Sequence, residues 1–585
     1  MRPSCDRVFQ IAELAHEITA YLDKRSLVRL MSTCRLIHTA CEPSLYNTLD
    51  IYDKPYISHR IRTLASLTAL ARNSHHIRHL KTGLVFSTYL YGALRAYQES
   101  QQQCVEGSSA LSSLELERPF CCDDDIELLA KTIARASSLE QLSLQLVRAY
   151  QFDGSKLRQT IFFSAPTSLQ QLRINELEAE ELDHNRESLL NKRSRNEWWK
   201  YRLGRADMTP QRRQRPLPNL LELDLFTEAL GRESVENIKS MLEHCPALRS
   251  FTAPCIEDDA DVGSLAEHVA KYCPRIRKLT YRQDRELSTA NKAFIFAFMN
   301  VLPEQIMESI RCMSFDEREL GTDAANSFRR HSLTLRTIDL MGCDEIQSGT
   351  VRTILQECRA LEDLLIWNVA PLGCCYVDLE DAVAAIPWAC TRIKDLRLVV
   401  KIHELYRTMG EHEEYEDDEL RPYYERPAPV YLTDFEKQQF SLLERFFRQI
   451  GGLLDLEVLA LRAEVIPEGF EENDGMWGMD TYPGESFPAL LSLGDQETGR
   501  PGFLGLFGGL TKLRRLSGSI EVNDKENSVI MGWNEARWLA EHLPSLEEAE
   551  FYNVYSPFDL PTQISPYMRW LTEQRPTLRI WRSFT

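Results

Sequence analysis

Leu139-Glu-Gln-Leu142-Ser-Leu144 and Leu169-Gln-Gln-Leu172-Arg-Ile174 begin 30 positions apart and spell one pattern: apolar, two variable, apolar, one variable, apolar. The alternating half of that pattern has period two, the mark of a short strand with one buried face. Leu111-Ser-Ser-Leu114-Glu-Leu116 stands 28 positions before the first of these, and Leu220-Leu-Glu-Leu223-Asp-Leu225 follows after an insertion. Cys245-Pro246-Ala-Leu248-Arg-Ser-Phe251 and Cys273-Pro274-Arg-Ile276-Arg-Lys-Leu279 are again 28 apart. Leu335-Arg-Thr-Ile338-Asp-Leu340 and Leu361-Glu-Asp-Leu364-Leu-Ile366 are 26 apart. Further copies start near Ile393, Leu456, Leu513 and Leu546, and the last, Leu578-Arg-Ile-Trp581, is frayed. Between copies the spacing changes to a helical one, as in Ser234-Val-Glu-Asn-Ile238-Lys-Ser-Met241-Leu242 and Val351-Arg-Thr-Ile354-Leu355.

A lone strand–helix unit of this size cannot bury its own apolar face, whereas stacked units share one continuous core. A period of 26–30 residues fits leucine-rich repeats at the long end of their range. The expected fold class is therefore α/β: a horseshoe solenoid with a parallel sheet inside and helices outside. Cys245, Cys273 and Cys358 read as small apolar residues that close helix-to-strand corners. The same architecture serves receptors, inhibitors and scaffolds, so it selects no ligand by itself.

Composition narrows the class of function. The chain has 585 residues, an ordinary apolar share of 43% and a formal net charge of -19. That acidity argues against a general nucleic-acid-binding surface. Its 15 cysteines are odd in number and show no C-x-x-C, and the adjacent pairs Cys121-Cys122 and Cys374-Cys375 are poor geometry for ordinary bridges. Reduced thiols and no zinc site are expected. The start, MRPSCDRVFQ, lacks the apolar core of a signal peptide, and no apolar run is long enough to span a bilayer. Together these place the expected protein in the cytoplasm, the nucleus or both, away from membranes.

Four stretches interrupt the period, at about 96–110, 176–216, 401–440 and 466–509. The second holds Lys192-Arg193-Ser-Arg195, Trp198-Trp199 and Arg212-Arg213, read as an exposed insertion in preference to a nucleic-acid or nuclear-import element. The third holds the acidic run from Glu411 to Glu419, read as a solvated loop. The fourth is rich in Gly, Pro and acidic residues, without the Gly-Lys-Ser/Thr of a phosphate-binding loop. Catalytic constellations are missing too. His16-Glu17, His403-Glu404 and His412-Glu413 each lack a second His four positions after the first, and there is no G-x-S-x-G elbow. A non-catalytic chain without metal or cofactor is expected.

Residues 8–49 differ from everything after them. Leu14, Ile18 and Leu22 share one helix face, and Asp23 suits a helix N-cap with Ser26 three positions on. Leu27, Leu30, Met31 and Cys34 mark a second amphipathic helix. Leu36, Ile37 and Ala40 mark a third that runs up to Pro43, with Leu45, Tyr46 and Leu49 after it. Three short helices hide little surface on folding, and each apolar side chain left bare forgoes about 1.5–3 kcal/mol. Either the repeats cover this module, as a solenoid cap requires, or another protein does.

The segment resembles an F-box. The matching features are Ile11-x-Glu13-Leu14, Ile18, Tyr21-Leu22, Leu27-Val28-x-Leu30, Cys34-Arg35 and Leu45-Tyr46. Ala12 stands where the family usually has Pro, and His38 and Tyr46 where it often has Trp. F-box modules dock onto the Skp adaptor of cullin-RING ubiquitin ligases. By this resemblance Ile11, Glu13, Leu14, Ile18, Tyr21, Leu22, Leu27, Leu30 and Leu45 would form or support the Skp-adaptor contact. Leu340-Met-Gly-Cys343-Asp-Glu-Ile346, continuing to Glu357-Cys358-Arg-Ala-Leu361, resembles the cysteine-containing repeats of F-box/leucine-rich-repeat proteins. The resemblance implies an F-box-like module at 1–50, a solenoid at 51–585, and a substrate-recognition role in an SCF-type ligase. Its partners would be a Skp-type adaptor, through it a cullin scaffold, and a target protein on the repeats. The alternative is a leucine-rich scaffold or inhibitor whose N-terminal helices only cap the solenoid.

Overall fold

The protein is seen in a computed structural model. It describes residues 14, 17–19, 21–50, 73, 76–82, 111–117, 123–147, 154–177, 215–226, 232–254, 256, 259–281, 294–312, 323–341, 345–366, 374–384, 386–403, 426, 428–466, 489–518, 532–553 and 566–583. The chain divides into two units, one formed by Met1–Ile276 with Arg282–Asn291, the other by Arg277–Tyr281 with Lys292–Thr585.

The first unit opens with α1 (Lys24–Met31) and α2 (Arg35–Asn47) and passes into β1 (Thr48–Asp50). The order continues through β2 (His79–Thr82), β3 (Ser113–Glu117), α3 (Asp123–Arg135), β4 (Gln141–Val147), α4 (Gly154–Ser164) and β5 (Gln171–Leu177). It ends with β6 (Glu222–Asp224), α5 (Arg232–Leu242), β7 (Ser250–Ala253) and α6 (Asp259–Tyr272). Each of β1 to β6 lies parallel to the next strand in sequence.

The second unit begins with β8 (Lys278–Tyr281), α7 (Phe294–Val301), β9 (Ser309–Cys312), α8 (Asp323–His331), β10 (Thr337–Asp339), β11 (Glu345–Ile346), α9 (Ser348–Glu357) and β12 (Asp363–Leu365). Next come β13 (Cys374–Cys375), β14 (Val377–Asp378), α10 (Leu379–Ala382), β15 (Asp395–His403), α11 (Asp434–Gly451) and β16 (Val458–Ile466). Then follow β17 (Arg515–Gly518), α12 (Trp533–His542), β18 (Glu548–Asn553), α13 (Pro566–Gln574) and β19 (Arg579–Ser583). The parallel ladder runs β8, β9, β10, β12, β15, β16, β17, β18, β19. Strand–helix units stacked through a parallel sheet are the leucine-rich-repeat α/β architecture that the period implied.

One backbone device sets the register. Along most of each ladder, the carbonyl just before a strand accepts two successive amides from the next repeat. Ser112 O receives Glu140 N at 2.8 Å and Gln141 N at 3.0 Å, and Glu362 O receives Lys394 N at 2.7 Å and Asp395 N at 3.2 Å. With register fixed, alternate residues must face inward. Leu114, Leu142, Leu172, Leu223 and Phe251 accordingly line the first core, and Leu279, Ile310, Ile338, Leu364, Leu396 and Leu459 the second, all at 2% exposure or less. The corner cysteines are buried as well. The Cys245 thiol bonds Met241 O at 3.4 Å and that of Cys390 bonds Leu355 O at 3.2 Å. Burial pushes the Cys273 and Cys390 thiols up to about 12, which keeps them protonated.

Several elements differ from, or add to, the sequence reading. The third N-terminal helix continues through Pro43 to Asn47, and the residues after it form a strand. Strand β9 carries the repeat pattern as Met307-Glu-Ser-Ile310-Arg-Cys312, with no leucine to announce it. Within the span read as an insertion at 401–440, β15 runs on to His403, and α11 starts at Asp434 behind a Thr433/Glu436 capping box. Within 466–509, β16 runs to Ile466, and residues 489–507 form a turn closed by an Asp495–Arg500 bridge and a short 3-10 helix. That helix sets Phe507 edge-on to Phe447 at 5.9 Å. A Cβ on Gly502 would stand 1.8 Å from Gly494 N, so only glycine closes this turn. Residues 96–110, the basic stretch from Lys192 to Arg213 and the acidic run 411–419 lie outside the described residues.

The residues that supply the register carbonyl in the second unit alternate in sign: Arg277, Glu308, Arg336, Glu362, Lys394, Glu457, Arg514, Glu547. Side-chain pairs form along this rim, with Arg277–Glu308 at 2.7 Å, Lys394–Glu362 at 2.6 Å and Arg514–Glu547 at 2.9 Å. Arg336 and Arg392 also approach Glu362, at 3.5 and 3.7 Å. Exposed pairs contribute little each, about 0.2–1 kcal/mol. Their sequence matters more, because slipping or losing one repeat sets like charges side by side. Glu362→Lys puts a cation among Arg336, Arg392 and Lys394 and is expected to destabilise the protein by about 1 kcal/mol. Glu362→Gln is expected to cost less, and urea midpoints of the two variants check the order.

His331 is fully buried, with Nε2 at 2.9 Å from Met299 O. Burial holds its imidazole below the usual histidine range, and Arg330 adds to the effect. The neutral ring is thus favoured in the fold, and full stability belongs to pH above about 6.5, the unfolded value. As pH falls through that value the unfolded chain takes up the proton first and stability is lost. Between pH 7.5 and 5.5 (about the span of a histidine titration), His331→Gln is expected to flatten the loss of urea midpoint relative to the parent. An unchanged slope would show that this ring is not responsible.

Candidate docking surfaces

The N-terminal helices close a small core of their own. Leu27, Met31, Ile37 and Cys41 are buried together, with Leu22, Leu30 and Leu45 packed partly against them. The amphipathic spacing of α1 and α2 produces this directly, since Leu27/Met31 and Ile37/Cys41 are i, i+4 pairs. Asp23 caps α1 by accepting the Ser26 amide at 2.7 Å. The Ser26 bonds, side chain then backbone, hold the Asp23 carboxyl below its usual range. Residues 14 and 17–19 are helical ahead of this. Thr19 Oγ1 meets Ser44 Oγ at 2.6 Å, and Lys24 Nζ donates to Thr48 O at 2.7 Å, which tie the helices to each other and to the first strand.

What that core leaves out is the notable part. Tyr21 is 91% exposed, Val28 54%, Leu14 41%, and Ile18 and Leu36 39% each. Among the module's described residues, five large apolar side chains thus remain in water, each with area to cover at about 25 cal/mol per Å². Of the residues marked by sequence, Leu14, Ile18 and Tyr21 stand open to a partner. Leu22, Leu30 and Leu45 are half-buried supports, and Leu27 lies inside at 3% exposure. Ile11 and Glu13 lie outside the described residues. Val28 and Leu36 were not marked as contact residues, although both are apolar residues off the buried faces of α1 and α2, and that was a readable signal.

The second surface is the open face of the second unit's sheet, whose side chains alternate with the core residues. Two rows across it carry charge. In one, Thr337, Asp363 and Asp395 stand side by side, and in the next Asp339, Leu365 and Arg397 do. Arg397 grips Asp395 with two bonds at 2.9 and 2.8 Å. Arg311 pairs with Asp339 at 2.7 Å, and the Met341 amide adds a bond at 3.2 Å. Asp363 accepts only the Thr337 hydroxyl, at 3.0 Å, and has no ion-pair partner among the described residues. Burial raises its carboxyl above the usual range, the Thr337 bond opposes this, and the Asp395 charge adds to the rise.

No group of His, Cys, Asp or Glu able to hold a metal ion occurs among the described residues. No helix among them is long and apolar enough to cross a membrane. No family model matches the chain, and no curated protein matches it. Among solved structures it is similar to the leucine-rich-repeat-containing protein LegL7 from Legionella pneumophila, at 9% identity and TM-score 0.29, over 63% of this chain and 86% of that one. It is also similar to a chain in the crystal structure of the yeast Rad7 and Elc1 complex, at 13% identity and TM-score 0.29, over 63% and 90%. A third, in the TLR13–ssRNA13 complex, gives 12% identity and TM-score 0.22, over 87% and 81%. Likeness at these scores carries no functional argument.

An ionised Asp363 held above its usual range costs the fold stability at neutral pH, and the cost disappears as pH falls below the unfolded value near 4. Asp363→Asn keeps an acceptor for Thr337 and removes the charge opposite Asp395. It is therefore expected to raise the thermal midpoint at pH 7 and to lose that advantage toward pH 4, as differential scanning fluorimetry at the two pH values would show.

Proposed function

We propose that this chain is the substrate-recognition subunit of an SCF-type cullin-RING ubiquitin ligase. An F-box-like module within about residues 1–50 would dock a Skp-type adaptor, and the repeats over 51–585 would hold a target protein. The observation that carries the reading is the exposure of Leu14, Ile18, Tyr21 and Val28 beside a module core that is already closed. A helical cap that only sealed the first repeat would be expected to bury such residues against it.

The mechanism is positional, and no residue of the chain acts on a bond. The adaptor links this protein to a cullin scaffold and a ubiquitin-charged enzyme, while the repeats hold the target within reach of it. Tethering raises the effective concentration of target lysines at that enzyme, and the rate follows from proximity. A ligase of this kind would work in the cytoplasm, the nucleus or both. A plain leucine-rich scaffold or inhibitor remains the second reading, favoured by the repeat architecture alone.

Co-expression with a Skp adaptor tests the assignment. The parent chain is expected to co-purify with the adaptor in one size-exclusion peak. Ile18→Glu is expected to lose the adaptor while keeping the parent's thermal midpoint, since Ile18 is outside the module core. Pairing retained by Ile18→Glu and by Tyr21→Asp, or no pairing by the parent, would leave the scaffold reading in its place.

A further inference from the structure

We propose that the outer side of α1 and the start of α2 form a cationic rim for an acidic partner surface: the protein that covers the N-terminal module meets Arg25, Arg29 and Arg35 with carboxylates. The inference rests on the reading that this partner is a Skp-type adaptor, and it names the chemistry that steers the two together.

The argument begins with where the charges stand. The whole chain carries a formal net charge of -19, yet between Asp23 and Glu42 it holds Lys24, Arg25, Arg29 and Arg35 and no carboxylate. Lys24 has work inside the fold, since its ammonium is bonded to Thr48 O at 2.7 Å. The three arginines are exposed, and none has an ion-pair partner among the described residues. Asp23 feels Arg25 and Arg29 through space but pairs with neither, its carboxylate being taken by the Ser26 amide.

Two of these placements work against the helix. The first turn of α1 contains no acidic residue, although the helix dipole favours anions there and disfavours the Arg25 cation. Arg25 and Arg29 are also like charges at i, i+4, which repel. A helix built for stability alone would carry Glu at position 25, where it would suit the dipole and pair with Arg29. Conflicts of this kind are kept at functional sites. Val28 lies between the two arginines on the same helix face and is 54% exposed, and Arg35 adjoins Leu36, at 39%. Apolar side chains bordered by arginines match the core and rim of a protein interface. A lone valine between two cations is too small an apolar face for a bilayer surface, which takes a broad one.

The test uses the full-length chain flowing over an immobilised, purified Skp adaptor, with association and dissociation rates read separately. The proposal expects parent association to slow steeply as salt rises from about 0.05 to 0.5 M. Arg25→Glu is expected to slow association at least about fivefold at the lower salt and to change dissociation less. Its thermal midpoint is expected to be no lower than the parent's, because the new Glu suits the first turn, so slow association is not lost folding. Arg569→Glu reverses an exposed charge outside the module and is expected to change association less than about twofold. Equal association by the parent and Arg25→Glu, or equal slowing by Arg25→Glu and Arg569→Glu, would overturn the rim while leaving adaptor docking in place. Sedimentation of the parent with phosphatidylserine vesicles, combined with adaptor association indifferent to salt, would assign the cations to a lipid surface and overturn it too. No binding by the parent at any salt would remove the docking reading and this inference together.

Discussion

A single backbone carbonyl per repeat, shared by two amides of the next, is the contact on which the rest of this protein depends. It appears at Ser112, Glu140 and Gln170 in the first unit and at Glu308, Arg336 and Glu362 in the second. Shifted by one residue, each strand would send its leucines into water and its charged residues into the core. Held in place, the strands put apolar side chains on one face and leave the other free to vary. The fold is thus insensitive to what the open face carries, which is why a recognition surface can be written there without rewriting the core.

The alternating rim of the second unit adds order to that ladder. Backbone bonds would accept any repeat as a neighbour, but the series from Arg277 to Glu547 accepts neighbours of opposite sign. Such devices specify arrangement more than they stabilise it. The open face follows a different rule. Arg311, Asp339, Asp395 and Arg397 are ion-paired within the sheet, while Asp363 accepts the Thr337 hydroxyl and has no ion pair among the described residues. The N-terminal helices show the same contrast in apolar form, since Leu27, Met31, Ile37 and Cys41 are closed off while Tyr21 and Val28 are bare. At both places the chain satisfies what holds it together and leaves unsatisfied what faces outward.

Much of the fold was legible in the residues. Leucine at fixed offsets located β3 to β8, β10 and β12, and the spacing of Ser234 to Leu242 located α5, because burial imposes period two on strands and 3.6 on helices. Asp23 with Ser26 gave the cap of α1. Strand β9 escaped because Met307, Ile310 and Cys312 fill leucine's places, which the core tolerates on volume alone. The start of α11 was readable in Thr433-x-x-Glu436, a capping box hidden behind an acidic run. The candidate sites were less legible. Periodicity showed which residues of the first helices are apolar, but not that Leu27 is inside while Val28 is outside, since that depends on how α1 and α2 pack. The lone position of Asp363 depends on which arginine reaches which carboxylate across strands far apart in sequence.

The central claim is that residues 14–36 present apolar surface which this chain leaves uncovered and an adaptor covers. Hydrogen–deuterium exchange of the full chain, alone and with a purified Skp adaptor, addresses it most directly. The account predicts that peptides spanning 14–36 exchange faster alone than those of β4 and β5, and slow down when the adaptor is added, with the sheet unchanged. Peptides across 14–36 that are already as protected as the sheet, and indifferent to the adaptor, would contradict it.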